Sequence, residues 1–178
     1  MKRILPLILV GLMAFSSTHA DGLRVAPDWQ LPTVDGDVFS LSEAARKQPV
    51  VVLFWATWCP YCKALMPELQ RIQDDYDGDI RVVAVHFRDD NGDAVAFMRR
   101  NGYDFKLLTN GEPVAKLNQV WGTPGVLIVD ENLNLHFDLY DLPKLEFGKD
   151  LSHSEKSRKL APYWAAAIRE TIEDIVAD

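Results

Sequence analysis

The sequence predicts an α/β layered domain, in which strands buried in a sheet alternate with covering helices. Three observations carry this. Pro49-Val-Val-Val-Leu-Phe-Trp55 is an unbroken apolar run rich in β-branched residues, as a strand covered on both faces requires. Leu65, Met66, Leu69 and Ile72 then recur at helical spacing, with Glu68, Gln70, Arg71 and Gln73 between them. Two further runs, Ile80–His86 and Gly125–Asp130, repeat the strand pattern after intervening helical stretches.

In chain order, Leu23–Leu41 mixes short apolar pieces with turn chemistry at Ala26-Pro27-Asp28, Leu31-Pro32 and Asp35-Gly36-Asp37. Val38-Phe39-Ser40 reads as a short strand. The run 49–55 follows, then the helix carrying Leu65–Ile72, which Pro67 is expected to kink. After the strand at 80–86, Val95, Phe97 and Met98 mark a short helix that Asn101-Gly102 stops. Asn110-Gly-Glu-Pro113 resembles a helix start, and the segment Val114–Val120 ends at Gly122. Glu131-Asn132 is a turn into Leu133–Leu139, which makes a hairpin with the strand at 125–130. Tyr140–Lys159 has no clear period and reads as an exposed loop or insertion, partly basic. Trp164, Ile168, Ile172, Ile175 and Val176 space as a helix lying over the sheet.

The N-terminus has a character of its own. Lys2-Arg3, the twelve-residue apolar run Ile4–Phe15, and small residues at Thr18 and Ala20 form a three-part secretory signal, with cleavage expected after Ala20. An uncleaved membrane anchor is the alternative, although a helical span takes roughly 17–25 apolar residues. Residues 21–178 then form a single domain, 158 residues long, with no internal repeat. The removed segment carries Lys2 and Arg3 and no acid, so the formal charge moves from −7 to −9. An acidic balance argues against nucleic acid or an anionic lipid surface as the main partner. Export places the mature chain in a periplasmic or extracellular compartment.

Cys59 and Cys62 are the only cysteines. A disulfide between them closes so short a loop that it removes little chain entropy, so a structural staple is the weakest reading. A structural zinc site needs four ligands, and His86, His136 and His153 stand at no useful spacing. A copper(I) carrier made by the two thiols alone stays open, and thiol exchange is the stronger reading. Cys59 falls at the start of the helix after strand 49–55, where free N–H groups and the helix dipole stabilise a thiolate. Pro60 is tolerated there because a first-turn N–H has no helical partner. Cys62, one turn later, lies deeper. The spacing therefore predicts an exposed, acidic nucleophile at Cys59 and a sheltered resolving thiol at Cys62. Trp58 is expected beside the dithiol on a docking surface, Trp55 in the core, and Tyr61 exposed to partners.

Trp55-Ala-Thr-Trp-Cys-Pro-Tyr-Cys-Lys63, with Pro67 five residues beyond Cys62, resembles the thioredoxin-fold active site. The exported TlpA/ResA/CcmG (DsbE) branch is similar further along: Ala26-Pro27-Asp28-Trp29, Asp35-Gly36, Val82-Val-Ala-Val-His-Phe-Arg-Asp-Asp90 and Trp121-Gly-Thr-Pro-Gly-Val-Leu-Ile-Val-Asp130. The resemblance runs from about Pro27 to Leu139. It implies a thioredoxin-like fold, a mixed central sheet flanked by helices on both faces. It also implies a cis peptide at Thr123-Pro124 beside the dithiol; the residues alone leave cis and trans open. Pro124 has no N–H, so the backbone of Thr123 stays free to pair with an extended substrate.

The chain departs from this family at three positions. Leu53, Leu65 and Gly125 stand where relatives of one branch or another carry an acid. Such a carboxylate would help deprotonate the resolving thiol. His86, at the carboxyl end of its strand, is either a substitute proton relay or a half-buried packing residue. The resemblance implies an exported thiol–disulfide oxidoreductase with no cofactor beyond a redox-active Cys59–Cys62 disulfide. As a reductase it would act on protein disulfides, in cytochrome c maturation or metal-site assembly, and draw electrons from a membrane-bound thiol donor. A disulfide oxidase or isomerase, a metallochaperone and a non-catalytic docking module are the competing readings.

Overall fold

The computed structural model describes residues 23–148 and 150–177; the expected signal segment, residues 1–20, lies outside them. Its elements are β1 (Arg24–Val25), β2 (Gln30–Pro32), β3 (Val38–Ser40), α1 (Leu41–Ala45), β4 (Val50–Trp55), α2 (Pro60–Asp75) and β5 (Arg81–His86). There follow α3 (Ala94–Asn101), β6 (Lys106–Leu108), α4 (Glu112–Leu117), β7 (Gly125–Val129), β8 (Asn134–Asp138), a 3-10 turn (Leu139–Asp141) and α5 (His153–Ala177).

Six strands form one sheet in the order β1-β8-β7-β4-β5-β6. β4 pairs parallel with β5 and antiparallel with β7, so the sheet is mixed. All six residues of β4 are buried. Val51, Leu53 and Trp55 face one core cluster with Leu65, Met66 and Leu69 of α2 and Ile168 and Ile172 of α5. Val50, Val52 and Phe54 face the other, with Leu41 of α1 and Val114 of α4. The period-two alternation of a strand thus meets apolar helix faces on both sides, and each fully buried Val, Leu or Phe contributes roughly 1.5–3 kcal/mol. This is the thioredoxin-like architecture that the resemblance implies.

Several elements differ from the expectation. Pro67 lies inside α2 without ending it. The helix after Asn110 stops at Leu117, before the expected Val120. Part of the expected loop over 140–159 is helical, because α5 begins at His153. Its start is a capping box. Ser152 Oγ accepts from the Glu155 N–H at 3.3 Å, and Glu155 Oε2 accepts from the Ser152 N–H at 2.9 Å. β1, β2, α1 and β6 were not expected as elements; none is longer than five residues.

The topology brings three segment ends together. Trp55, last in β4, pairs with His86, last in β5, and Phe54 pairs with Gly125, first in β7. Because β7 runs antiparallel, the residues just before it lie at the same sheet edge as those just after β4 and β5. Residues 56–59, 87–89 and 121–124 therefore converge there, as α/β sites do beyond the carboxyl ends of parallel strands.

Candidate active site

Cys59 is the N-cap of α2, with Pro60 in the first turn. Its Sγ accepts from the Cys62 N–H at 3.2 Å, in the place usually taken by a capping hydroxyl or carboxylate. Both cysteines are free thiols. The predicted contrast in exposure does not hold: Cys59 is 1% exposed and Cys62 0%. A helix-start position alone suggests an open thiol. Here the converging segments and the apolar wall of Leu65, Met66 and Val126 enclose both sulfurs in one core cluster.

The two thiols differ in acidity instead. Hydrogen bonding from the Cys62 thiol is the largest influence on Cys59; burial works against it, and the Thr123 side chain and the N–H groups of Cys62 and Tyr61 add to it. The net effect lowers Cys59 from 9.0 to about 6. Cys62 moves the other way, well above 9.0, first through burial and then through its hydrogen bond to Cys59 and the charge developing there. Leu53 and Leu65, both fully buried in the same cluster, supply the apolar surroundings that leave Cys62 protonated. At Gly125 a Cβ would stand 2.6 Å from Val120 Cγ1, in the core cluster on the other face of the sheet from the dithiol.

The Thr123–Pro124 peptide is cis, and Pro124 is buried. Outside the regular elements, among the described residues, neither backbone group of Thr123 bonds to another backbone group. Trp58 is 56% exposed next to Cys59, and its Nε1 donates to the Arg88 carbonyl at 2.9 Å. Tyr61 is half-buried, where the sequence pointed to an exposed partner contact. Its hydroxyl bonds His153 Nδ1 at 2.9 Å, and Trp164 of α5 packs at a centroid distance of 6.2 Å. His86 bonds Asp89 Oδ2 through Nε2 at 3.1 Å and packs on Trp55. Asp89 in turn accepts from the Thr57 N–H at 2.6 Å and from the Thr57 hydroxyl. Burial would raise the Asp89 carboxyl, but the bonds from Thr57 and His86 outweigh it and hold it below the usual range. His86 is thus joined to the anchor of the loop before Cys59.

Arg88, Asp89 and Tyr140 at this edge have no role assigned from the sequence, and His153 is weighed there only as a zinc ligand. Arg88 and Asp89 lie inside a motif that the resemblance had already matched, without a role. Tyr140 and His153 lie in the stretch read as a loop, where the Ser152-x-x-Glu155 pattern was the available signal for His153. Among the described residues, no three His, Cys, Asp or Glu side chains come together to hold a metal ion.

The AhpC/TSA family model matches residues 23–137. The thioredoxin-like protein YneN of Bacillus subtilis (strain 168) is 33% identical over 109 residues, covering 60% of this chain and 64% of YneN. The thiol:disulfide interchange protein DsbE of Escherichia coli (strain K12) is 24% identical over 154 residues, 84% of this chain and 77% of that protein. Among solved structures, a Chlorobium tepidum protein described as a candidate DsbE is similar with a TM-score of 0.67 at 25% identity. It matches over 88% of this chain and 98% of its own.

Proposed function

The chain belongs to the AhpC/TSA family of thioredoxin-like proteins, and we propose that it is an exported thiol–disulfide oxidoreductase that reduces disulfides in other proteins. The observation that carries this is the placement of the pair at the start of α2, where Cys59 Sγ accepts from the Cys62 N–H at 3.2 Å, and the split in acidity that goes with it. At pH 7 a thiol with a pKa of about 6 is about nine-tenths thiolate. Cys59 is therefore armed and Cys62 is held in reserve as a thiol.

The exchange proceeds in two displacements. Cys59 Sγ⁻ attacks one sulfur of the partner disulfide, and the S–S bond breaks as a mixed disulfide forms. The departing partner sulfur leaves as a thiolate. With Cys59 no longer anionic, Cys62 loses part of what kept it protonated, and its proton passes to the departing thiolate or to water. Cys62 Sγ⁻ then attacks Cys59 Sγ, closing the intramolecular disulfide and releasing the second partner sulfur. Two electrons have moved from the dithiol to the partner, and a membrane-bound dithiol donor restores Cys59 and Cys62. Thr123 offers its backbone to an extended stretch of the partner, and Trp58, with Pro60 and Tyr61 behind it, forms the adjoining contact. Export rests on the Lys2-Arg3, Ile4–Phe15 and Ala20 pattern, and among the described residues no helix is long and apolar enough to cross a membrane.

The degree of acidity supports the reductase direction. Thioredoxin-fold nucleophiles range from about 7 in thioredoxin to about 3.5 in the strongest oxidant, and Cys59 lies nearer the former. A less stabilised thiolate makes the dithiol a better electron donor. Equilibration with glutathione redox buffers is expected to give a potential between about −270 and −180 mV. A value near about −120 mV would overturn the reductase reading in favour of a disulfide oxidase.

A further inference from the structure

We infer that Arg88 and Tyr140 are positioning residues for polypeptide substrates: they grip the turn Trp121-Gly122-Thr123-Pro124 and hold its docking edge against Cys59. The inference rests on the proposed thiol exchange and adds to it what sets the placement of the docking edge.

The turn lies outside any strand and has no ladder bonds to fix it before β7 begins at Gly125. Two side chains from distant parts of the chain bond its backbone instead. Arg88 Nη1 donates to the Trp121 carbonyl at 2.5 Å. The Tyr140 hydroxyl donates to the Gly122 carbonyl at 2.8 Å and accepts from the Gly122 N–H at 3.1 Å. Three consecutive polar groups of the turn, all just before Thr123, are thus tied to two side chains.

Each side chain is itself held in place. Arg88 has a left-handed backbone (φ 57), its N–H donates to Glu112 Oε1 at 2.8 Å, and its guanidinium lies over the Phe87 ring. Its carbonyl also accepts from Trp58 Nε1, so a single residue joins the indole beside Cys59 to the carbonyl of Trp121. Tyr140 sits in the 3-10 turn directly after β8, where Asp138 Oδ1 accepts from its N–H at 3.0 Å. Trp121 and Tyr140 are 62% and 45% exposed, so together with Trp58 they form the rim that a docked chain would meet.

The chemistry makes this placement consequential. A polypeptide that pairs with the Thr123 backbone brings its disulfide to Cys59 only if the turn stands at the right distance, and a misplacement of about 1 Å can cost about 10²-fold. A small disulfide has no peptide backbone to pair with Thr123, so its approach to Cys59 does not depend on the docking edge. The two substrate types should therefore respond differently to loosening it.

The test compares Tyr140→Phe, Arg88→Met and Arg88→Lys with the wild type on two substrates. These are a protein disulfide, with insulin as the probe, and the small aromatic disulfide dithiobis(nitrobenzoate). Tyr140→Phe and Arg88→Met are each expected to lower kcat/KM for insulin by about tenfold, while the small disulfide changes by less than about twofold. Arg88→Lys, which keeps one cationic donor for the Trp121 carbonyl, is expected to fall between Arg88→Met and wild type. Equal losses on both substrates would overturn the inference, as would insulin turnover unchanged in Tyr140→Phe and Arg88→Met. A wild type inert toward both disulfides would instead overturn the exchange reading, and this inference with it.

Discussion

At Cys59, burial and hydrogen bonding act in opposite directions on the same sulfur. Burial disfavours the thiolate, yet the Cys62 thiol, the Thr123 side chain and two N–H groups of the first turn of α2 outweigh it. The largest of these influences comes from the very residue that later attacks Cys59, and the same bond adds to the burial that holds the resolving thiol in reserve. Alkylation of Cys59 by iodoacetamide, followed against pH, is expected to show a midpoint at about 6 in wild type. The midpoint should rise in Cys62→Ala, which removes that hydrogen bond; an unmoved midpoint would assign the acidity to the helix start alone. The same values fix the sign of the pH dependence of stability. Cys59 is lowered from 9.0 to about 6, so it contributes stability to the dithiol form that is full above 9 and lost as pH falls through about 6. Cys62 is raised, so stability falls again as pH climbs beyond 9 toward its folded value.

Among the elements, α5 shows most clearly what a local pattern conveys and what it does not. Its first turn is closed by Ser152 and Glu155, and it carries His153 to the Tyr61 hydroxyl and Trp164 to the Tyr61 ring. Ser152→Ala removes one half of the capping box and is expected to lower stability by about 1 kcal/mol, read as a fall in thermal midpoint. No change would mean that packing against α2 alone sets where this helix begins. β4, β5, β7, α2 and α3 were legible because each has a long apolar run or a clear helical period, and Gly102 ends α3 in the left-handed conformation that a C-terminal glycine supplies. β6 was not, because Lys106–Leu108 is three residues long and is defined by its parallel pairing with β5. The start of α5 was hidden by its polar first turns and by Pro162 inside it. At the site, the dithiol and the Thr123–Pro124 turn could be named from their motifs. The burial of Cys59 and the grip of Arg88 and Tyr140 could not, because they arise only where three segments distant in sequence converge.

Over the whole molecule, one feature of topology makes the site. Parallel pairing of β4 with β5 and antiparallel pairing with β7 place the start of α2, the loop at 87–89 and the cis-proline turn at a single edge. The sheet behind them is sealed on both faces, so this edge is where chemistry meets solvent. Leu53 and Leu65 make the interior around Cys62 apolar, so the dithiol itself, with its donors, is the source of the difference in reactivity. The central claim, that Cys59 attacks and Cys62 resolves, is tested most directly by trapping. Cys62→Ser, presented with a disulfide-bonded protein, is expected to accumulate a one-to-one mixed disulfide whose link maps by mass spectrometry to Cys59, and Cys59→Ser should accumulate none. A mixed disulfide that forms through Cys62 in Cys59→Ser, or no adduct with either variant, would contradict the account.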